Sequence, residues 1–436
     1  MMTQTTTNTA LPKLIQLDSG YAPAAPANVA ATGVNRSVLL DIALKTAYVL
    51  PQFTTEDISR RMHLPQMVVA ELLEQFREES LIEALGHKDA TGYRYTISQR
   101  GRERAQRLLD ISGYIGPAPV SLDAYTAMFE WVDAQPQHIS PDQVKSALGE
   151  LVLTSDAVEI AGMAASSERS LFLSGPPGNG KTSMGRCLHK VRTGEIWIPH
   201  CIAVEHNIIR VFDSHCHEPM PLSADTAKSV DQRWVRIKRP FVVAGGEMTL
   251  ESLDMAYLPS LRYYEAPLHM KANGGTFLID DFGRQHVEPS ALLNRWIIPL
   301  EHRIDFLTLY GGQKIQVPFL LMLIIATNLK PEDVTDPAFL RRIGYRLAIQ
   351  GPTQEAYANI FRSYAGKYNV SVRKEFMEHV LDRYQSSGKE LRACEPRDLI
   401  ERIRDICAYR NEPLKLTEDL LDLAWTAYFG NEAKAA

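Results

Sequence analysis

The chain has 436 residues, of which 45% are hydrophobic, 23% charged and 8% aromatic, and its formal net charge is -5. This length is that of two or three domains, and this composition is that of a soluble globular protein. The negative charge argues against a protein that grips nucleic acid with its whole surface, although a local basic patch is compatible with it.

The cysteines indicate the cellular compartment of the protein, and the apolar runs indicate whether it crosses a membrane. The five cysteines are odd in number, scattered and without a CxxC pair, which favours a reducing, cytoplasmic location over a secreted disulfide framework. Residues 1–10 lack a basic region followed by an apolar core, so no signal peptide is expected. The longest apolar run, residues 319–326, is too short to cross a bilayer and predicts a buried strand. No membrane insertion is expected.

The N-terminal third contains two patterns. Residues 1–35 are rich in Thr, Ala, Pro and Asn and show little periodicity, which predicts a disordered lead. Residues 36–111 change to a helical pattern, in which Thr54 and Asp57 form a capping box for the second helix. The third helix opens at Pro65 and has apolar side chains at helical spacing. Those expected to be buried are Val68, Val69, Leu72, Leu73 and Phe76.

Two short strands around a turn at residues 86–92, and one more helix, complete this region. Three helices, a two-stranded wing and a helix resemble a winged helix-turn-helix. Its third helix has four glutamates against Arg77, a charge balance that opposes an approach to phosphates. The basic residues lie on the wing and the helix after it: Arg94, Arg100, Arg102, Arg104 and Arg107. Because such a run is more commonly a solvated face, protein docking is favoured and DNA contact stays open.

A Pro-rich stretch at residues 116–119 predicts a hinge, and residues 122–134 and 141–165 predict helices.

Residues 175–182 read GPPGNGKT. This motif stands between an apolar run and a helical segment, the context of a phosphate-binding loop. Its glycines let successive N–H groups face a polyphosphate at a helix N-terminus. Lys181 is predicted to reach the β- and γ-phosphates of ATP, and the Thr182 hydroxyl to ligate Mg²⁺. The predicted phosphate-binding residues are Gly175, Pro176, Pro177, Gly178, Asn179, Gly180, Lys181, Thr182 and Ser183.

Two later apolar strands end in polar residues. Residues 275–281, GTFLIDD, end in two acids. Such a strand places Asp280 beside the phosphate-binding loop, where it can hold Mg²⁺, and Asp281 where it can orient the attacking water. Residues 320–328 form the second strand and end at Asn328, whose amide can hydrogen-bond the γ-phosphate and the same water.

These motifs, in this order and spacing, resemble those of AAA+ ATPases over about residues 145–430. The resemblance implies that Asn328 is sensor 1 and that Arg397 is the sensor 2 arginine of a C-terminal helical lid. It also implies an arginine finger, which reaches the nucleotide of the neighbouring subunit, at Arg342 or at the adjacent Arg341.

One residue departs from the family pattern, because Asp281 stands where the family usually has Glu. A carboxylate that is one methylene shorter loses about 1.5 Å of reach. It can still polarise water, but the shorter reach is expected to slow hydrolysis. The sequence is therefore a firmer guide to nucleotide binding than to the rate of hydrolysis.

Two insertions indicate which group of AAA+ proteins the chain resembles. Before the acidic strand, residues 233–246 predict strands and residues 248–255 a helix. After it, residues 289–302 predict a helix and residues 305–318 a hairpin that turns at Gly311 and Gly312. A hairpin just before the sensor 1 strand looks like a pre-sensor 1 insertion, and the earlier strands look like a helix 2 insertion. Together they are similar to MoxR-type and related AAA+ proteins, which implies a ring-forming chaperone or remodeller.

The expected fold class is α/β: an AAA+ P-loop NTPase core with a parallel sheet between helices, a winged helix-turn-helix domain before it and an all-helical lid after it. The predicted boundaries are 1–35 for the lead, 36–111 for the winged-helix-like domain, 112–144 for a linker with helices, 145–352 for the core and 353–436 for the lid. The expected activity is Mg-ATP hydrolysis by a homo-oligomeric ring, a hexamer, that remodels a protein client. The alternatives are a DNA-directed ATPase and a nucleotide-regulated transcription factor.

Overall fold

A computed structural model describes residues 10–18, 20–89, 92–135, 138–330 and 337–430. Within these residues the strands are, in chain order, β1 Leu14–Leu17, β2 Gly20–Pro23, β3 Ile82–Asp89, β4 Gly92–Ile97, β5 Val120–Ser121, β6 Leu171–Ser174, β7 Glu195–Pro199, β8 Cys201–Val204, β9 Asn207–Arg210, β10 Trp234–Lys238, β11 Phe241–Ala244, β12 Ala256–Leu258, β13 Tyr263–Glu265, β14 Thr276–Phe282, β15 Ile304–Thr308, β16 Lys314–Pro318, β17 Met322–Thr327 and β18 Tyr345–Ala348.

The helices of the same described residues are α1 Arg36–Tyr48, α2 Thr55–Met62, α3 Gln66–Glu78, α4 Gln99–Ile111, α5 Leu122–Asp133, α6 Pro141–Leu148, α7 Ser155–Ser167, α8 Lys181–Val191, α9 Ala224–Ser229, α10 Leu268–Lys271, α11 Pro289–Arg295, α12 Ile297–His302, α13 Pro337–Leu340, α14 Gln354–Gly366, α15 Lys374–Ser387, α16 Glu395–Tyr409 and α17 Glu418–Phe429. Short 3-10 turns lie at Ala30–Thr32 and Glu251–Leu253.

The chain divides into two compact units, each built from three separate segments. Unit 1 comprises Met1–Gln137, Arg192–Phe277 and Asn294–Met322, and unit 2 comprises His138–Val191, Leu278–Leu293 and Leu323–Ala436. The segments that return to unit 1 were expected to belong to the nucleotide-binding core, residues 145–352. The compact units therefore differ from the predicted domains.

In unit 1, α1 to α4 with the antiparallel β3–β4 hairpin occur in the predicted order. The Thr54 side chain accepts a hydrogen bond from the N–H of Asp57 at 3.2 Å, and the Asp57 carboxylate accepts one from the N–H of Thr54 at 2.9 Å. This reciprocal pair is the predicted capping box. Helix α3 buries the five apolar side chains that its spacing indicated. That the domain acts as a winged helix-turn-helix stays a prediction.

The prediction of disorder over residues 1–35 is wrong for the described part of that segment. Strands β1 and β2 form an antiparallel hairpin with Leu14 opposite Pro23 and Leu17 opposite Gly20. Leu14 and Leu17 pack against a buried cluster that includes Trp234. Composition alone missed this hairpin because the apolar cluster that it packs against comes from distant parts of the chain. Residues 1–9 lie outside the described residues.

Unit 1 contains a five-stranded sheet in the order β12-β13-β9-β8-β5. Strand β5 comes from the predicted linker and pairs in parallel with β8, with Val120 opposite Ile202. Strands β8 and β9 pair antiparallel, as do β12 and β13. The residues between α8 and β14 thus form sheet structure together with a segment that precedes the phosphate-binding loop.

Three predicted helical segments differ in the structure. Residues 248–255 contain only the short turn Glu251–Leu253, in which Thr249 and Ser252 exchange side-chain to backbone hydrogen bonds that compete with a helix. The segment 141–165 divides into α6 and α7. The segment 289–302 divides into α11 and α12 at Trp296, which has φ -101° and ψ 4°. Pro299 favours this break because it has no N–H to continue the earlier helix.

The hairpin predicted over residues 305–318 is present as β15 and β16, which pair antiparallel from Ile304 opposite Pro318 to Thr308 opposite Lys314. The strands predicted over residues 233–246 are present as β10 and β11. Strand β10 does not form a hairpin with β11, because it pairs with β7.

Unit 2 has the predicted α/β architecture. Strands β14, β17, β6 and β18 are neighbours in this order, and β6 pairs in parallel with both β17 and β18. All residues of β6 and β17 are buried, as expected for central parallel strands. Helices α6, α7 and α8 belong to the same unit, and α14 to α17 pack around Tyr357, Phe361, Tyr384 and Trp425. The α/β class and the C-terminal helices are thus confirmed.

All five cysteines are free thiols. Among the described residues, no helix is long and apolar enough to cross a membrane.

Candidate functional site

The glycine-rich loop lies in unit 2 between the buried strand β6 and helix α8. Gly175, Gly178 and Gly180 all have positive φ, at 134°, 79° and 86°. A Cβ on Gly175 would lie 2.0 Å from the carbonyl oxygen of Ile349, and one on Gly178 would lie 2.6 Å from Cys394 Sγ. Both the dihedral angles and the space therefore require glycine. The loop ends where the N-terminus of α8 begins, as in a phosphate-binding loop.

Lys181, the first residue of α8, is almost fully buried and holds its ammonium against the loop. Its Nζ donates to the carbonyl oxygens of Gly175 at 2.8 Å and Pro176 at 2.9 Å. It also donates to Oδ1 of Asn328 at 2.8 Å. Burial lowers the pKa of Lys181, while the carboxylates of Asp281 and Asp280 oppose that shift. The chain thus places a desolvated cation at the loop.

Thr182 and Asp280 form a second pair of functional side chains. Thr182 Oγ1 lies 2.9 Å from Oδ1 and 2.8 Å from Oδ2 of Asp280, so the hydroxyl donates to the carboxylate. A hydroxyl and a carboxylate are the hard oxygen ligands that Mg²⁺ prefers. The donor set of this pair therefore fits the metal that the sequence predicts, and Lys181 beside it fits a phosphate.

Asn328 and Asp281 complete the contacts at this edge of the sheet. Asn328 Nδ2 donates to Oδ1 of Asp281 at 2.9 Å, while Asn328 Oδ1 accepts from Lys181. Strand β17, which ends just before Asn328, lies between β6 and β14. This strand order explains why one amide can reach both the lysine that follows β6 and the acid at the end of β14.

A cavity of about 580 Å³ opens over these residues. It is lined by all the predicted site residues except Gly175, Pro176, Arg341 and Arg342. Arg397, in the first turn of α16, lines it and donates from Nε to Oδ1 of Asp398 at 3.0 Å. Arg342 follows α13, with its N–H bonded to the carbonyl of Phe339 at 2.8 Å, and Arg341 beside it is exposed. The cavity thus brings together the predicted loop, acids and sensors, and leaves both finger candidates outside.

Several residues that line the cavity were not predicted from the sequence. They are Glu150, Leu151, Val152, Leu153, Arg284, Ile360, Tyr364, Lys367, Ala393 and Cys394. Most lie on the turn after α6 or on the C-terminal helices, and no local pattern links them to the loop. Of these residues, Arg284 had the clearest sequence signal, because it is a cation that closely follows the two acids. In the structure it is exposed.

The comparisons with known proteins give one family and several structures. Residues 353–427 match the family model of a domain of unknown function, DUF8689. No curated protein matches the chain.

Two proteins illustrate the similar structures. NtrX from Brucella abortus in complex with ADP is 15% identical, with a TM-score of 0.40, and the match covers 64% of this chain and 56% of NtrX. The RuvB Holliday junction branch migration motor from Thermotoga maritima is 17% identical, with a TM-score of 0.35, and the match covers 68% of this chain and 73% of RuvB. The chain thus spans little more than half the length of the NtrX chain that it matches.

Proposed function

We propose that this protein is an ATPase of the AAA+ kind, which binds ATP with Mg²⁺ at the phosphate-binding loop and hydrolyses it. The observation that carries the proposal is the convergence of functional side chains at one edge of the parallel sheet. Lys181, Asn328 and Asp281 form one hydrogen-bonded chain, and Thr182 and Asp280 form a pair beside it. These residues come from three distant parts of the sequence, so a chance glycine-rich turn does not account for their meeting.

Each side chain has a role that its contacts support. Lys181 and the loop N–H groups would bind the phosphates, and Thr182 with Asp280 would hold Mg²⁺, which when bound supplies positive charge at the phosphates. Asn328 engages one oxygen of the Asp281 carboxylate, and a carboxylate has a second oxygen that can orient a water and accept its proton. Asp281 and Asn328 thus form the proposed water-positioning pair.

The proposal includes a ring, a hexamer, in which Arg342, or Arg341 beside it, serves the nucleotide of the next subunit. Both arginines lie outside the cavity of their own chain, which is compatible with a role in trans. Arg397 lines the cavity from α16 and would connect the nucleotide to movement of the C-terminal helices. The cytoplasmic location predicted from the free cysteines belongs to the same proposal.

Turnover is the direct test of this function. Wild-type protein with Mg²⁺ and ATP is expected to release phosphate, and Lys181→Ala is expected to lower ATP affinity and turnover by about 100-fold or more. Lys190→Ala, an exposed lysine at the end of the same helix, is the matched control. Equal turnover by wild type and Lys181→Ala would contradict the ATPase assignment.

A protein client is the proposed target of the ATPase, as in MoxR-like remodellers. The β15–β16 hairpin supports it, because Tyr310 near its tip is 83% exposed and stacks on Tyr257 at 5.2 Å between ring centroids. An exposed, oriented aromatic ring is suited to polypeptide contacts. The test is a pull-down with an Asp281→Asn protein, which is expected to retain ATP and its client. Loss of the retained protein in the Tyr310→Ala version would link the hairpin to the client.

DNA is the second candidate partner. Arg100, Arg102 and Arg107 lie on α4, the helix after the wing, and are exposed, which favours contact with a phosphate backbone. The acidic side chains of α3 oppose it only in part, because Glu71 pairs with Arg36 at 2.6 Å and Glu74 with Arg77 at 2.8 Å. Retention on duplex DNA that falls steeply with salt, and that is lost in Arg100→Glu/Arg102→Glu, would favour this partner. Stimulation of turnover by that DNA would separate a DNA-directed ATPase from a nucleotide-regulated transcription factor.

A further inference from the structure

Asp281 has a backbone conformation that residues with a side chain rarely adopt. Its φ is +49°, in the left-handed region, although strand β14 continues through Phe282. Non-glycine residues in this region are strained and persist where the surroundings hold them. The strain therefore calls for a physical cause at this position.

The left-handed conformation has a geometric consequence for the two acids. Successive side chains of a regular strand point to opposite faces, so Asp280 and Asp281 would not both face the phosphate-binding loop. In the structure, the N–H of Asp281 donates to Oδ1 of Asp280 at 3.1 Å, and the carboxylate of Asp281 lies 2.9 Å from Asn328 Nδ2. The turn thus brings both carboxylates to the same site. It also brings the Asp281 carboxylate to this site although the side chain is one methylene shorter than that of Glu.

Gln285 lies directly behind this turn and is 9% exposed. Its Oε1 accepts from the N–H of Gly283 at 2.7 Å, and its Nε2 is 3.3 Å from the carbonyl oxygen of Asp280 and 3.4 Å from that of Asp281. One short and two longer hydrogen bonds from a single buried amide therefore bind the backbone on both sides of the strained residue. The same amide carries both the donor and the acceptor that this turn needs.

We propose that Gln285 is a positioning residue that holds Asp281 in its left-handed turn, so that an aspartate performs the water-orienting role at this site. The proposal rests on the proposed ATPase function. Gln285 acts through the backbone of Asp281 and does not itself contact the reacting atoms. Because it holds the acid and not the phosphate-binding loop, its loss is expected to change kcat and to leave ATP binding intact.

The test compares Gln285→Leu, which removes both ends of the amide, with Gln285→Glu, which keeps only the acceptor oxygen. Gln285→Leu is expected to lower kcat by about 10- to 100-fold, the scale of a small misplacement of a reacting group. The KM for ATP is expected to change less than about twofold, because Lys181 and Thr182 are unaffected. The kcat of Gln285→Glu is expected to lie between that of wild type and that of Gln285→Leu. This variant also provides the test if Gln285→Leu does not fold. Gln354→Leu, an exposed glutamine on α14, is the matched control.

A rescue experiment separates positioning from a general structural role. In Gln285→Leu/Asp281→Glu, the longer carboxylate can reach the water from a relaxed backbone, so a recovery of kcat of about tenfold or more over Gln285→Leu is expected. An unchanged kcat in Gln285→Leu, a parallel loss of ATP affinity, or a double variant no faster than Gln285→Leu would each overturn the proposal. If wild-type protein lacks Lys181-dependent turnover, the ATPase function itself fails. If wild type is active and Gln285→Leu equals it, only the positioning role fails.

Discussion

Asn179 in the phosphate-binding loop accepts a hydrogen bond from the backbone N–H of Ala393, with 3.1 Å between Asn179 Oδ1 and the nitrogen. The neighbouring Gly178 carbonyl accepts one from the N–H of Cys394 at 2.9 Å. These two bonds join the tip of the loop to the residues that lead into α16, the helix that carries Arg397. Asn179 belongs to the predicted phosphate-binding residues, which stay a prediction, and its side-chain carbonyl oxygen contacts the C-terminal helical part of unit 2.

Asn179→Ala is expected to loosen this connection while leaving the Gly178 bond in place. The loss of one net hydrogen bond corresponds to about 1 kcal/mol of unfolding free energy. If the bond positions Arg397, then Asn179→Ala and Arg397→Ala will lower turnover by less together than the product of their separate effects, a coupling that a double-mutant cycle measures. Asn359→Ala, on an exposed face of α14, is the control. Strictly multiplicative effects would show that the two residues act independently.

Asp280→Asn is expected to spare nucleotide binding and to abolish the response to Mg²⁺. The amide keeps the shape of the carboxylate and can still accept from Thr182, but it lacks the charge that holds a divalent cation. Titration of a fluorescent ATP analogue in EDTA is expected to give a Kd within about threefold of wild type, whereas Mg²⁺-dependent turnover falls by about 100-fold or more. Asp382→Asn, exposed on α15, is the control. A variant that still responds to Mg²⁺ like wild type would exclude Asp280 as a metal-holding residue.

Arg342→Ala is expected to lower turnover by about a thousandfold, the scale of an arginine supplied in trans. Turnover per subunit in the wild type is expected to rise with protein concentration, because the finger comes from a neighbour. Arg341→Ala tests the alternative finger, and Arg373→Ala, exposed before α15, controls for loss of charge. Full activity of a dilute monomer, or undiminished activity of both finger variants, would contradict the ring.

Lys45 predicts a pH dependence of stability in unit 1. The side chain is 3% exposed, its Nζ donates to the Ser112 carbonyl at 2.8 Å, and burial lowers its pKa to about 8, against the opposing effect of Asp41. Below pH 8 the lysine is charged in the folded and in the unfolded chain, so the folded state is destabilised by the full free energy of burying the ammonium. Between pH 8 and about 10.4, the unfolded chain binds the extra proton, so the free energy of unfolding rises with pH. The rise is about 3 kcal/mol at most, on the scale of 1.36 kcal/mol per pKa unit.

Urea unfolding at pH 7.5, 9 and 10 measures this rise, and Lys45→Met is expected to remove it. Lys228→Met, which is 79% exposed at its side chain, is expected to keep it. The comparison between variants isolates Lys45 from other groups that titrate at alkaline pH. The same slope in Lys45→Met and in wild type would assign the pH dependence to another group.

Local signals in the sequence predicted the parts of this protein whose cause is local. The loop conformation follows from glycines and a lysine within eight residues, and the buried face of α3 follows from a 3.6-residue period. The buried strand at β17 and the capping box at Thr54 are equally short-range. The convergence of Asp280 and Asn328 on the loop was also predictable, because parallel strands deliver their carboxyl ends to one edge of a sheet.

Tertiary contacts decided the rest. The hairpin at β1 and β2 depends on a cluster that includes Trp234, the linker residue Val120 pairs with Ile202, and Ala393 meets Asn179 across more than 200 residues. The left-handed turn at Asp281 depends on an amide four residues later, whose meaning is invisible until the chain is folded. Periodicity and composition report which face of an element is apolar, but not what covers it. The loop motif therefore indicated the ligand class, and only the folded chain showed that Gln285 contacts the backbone around Asp281.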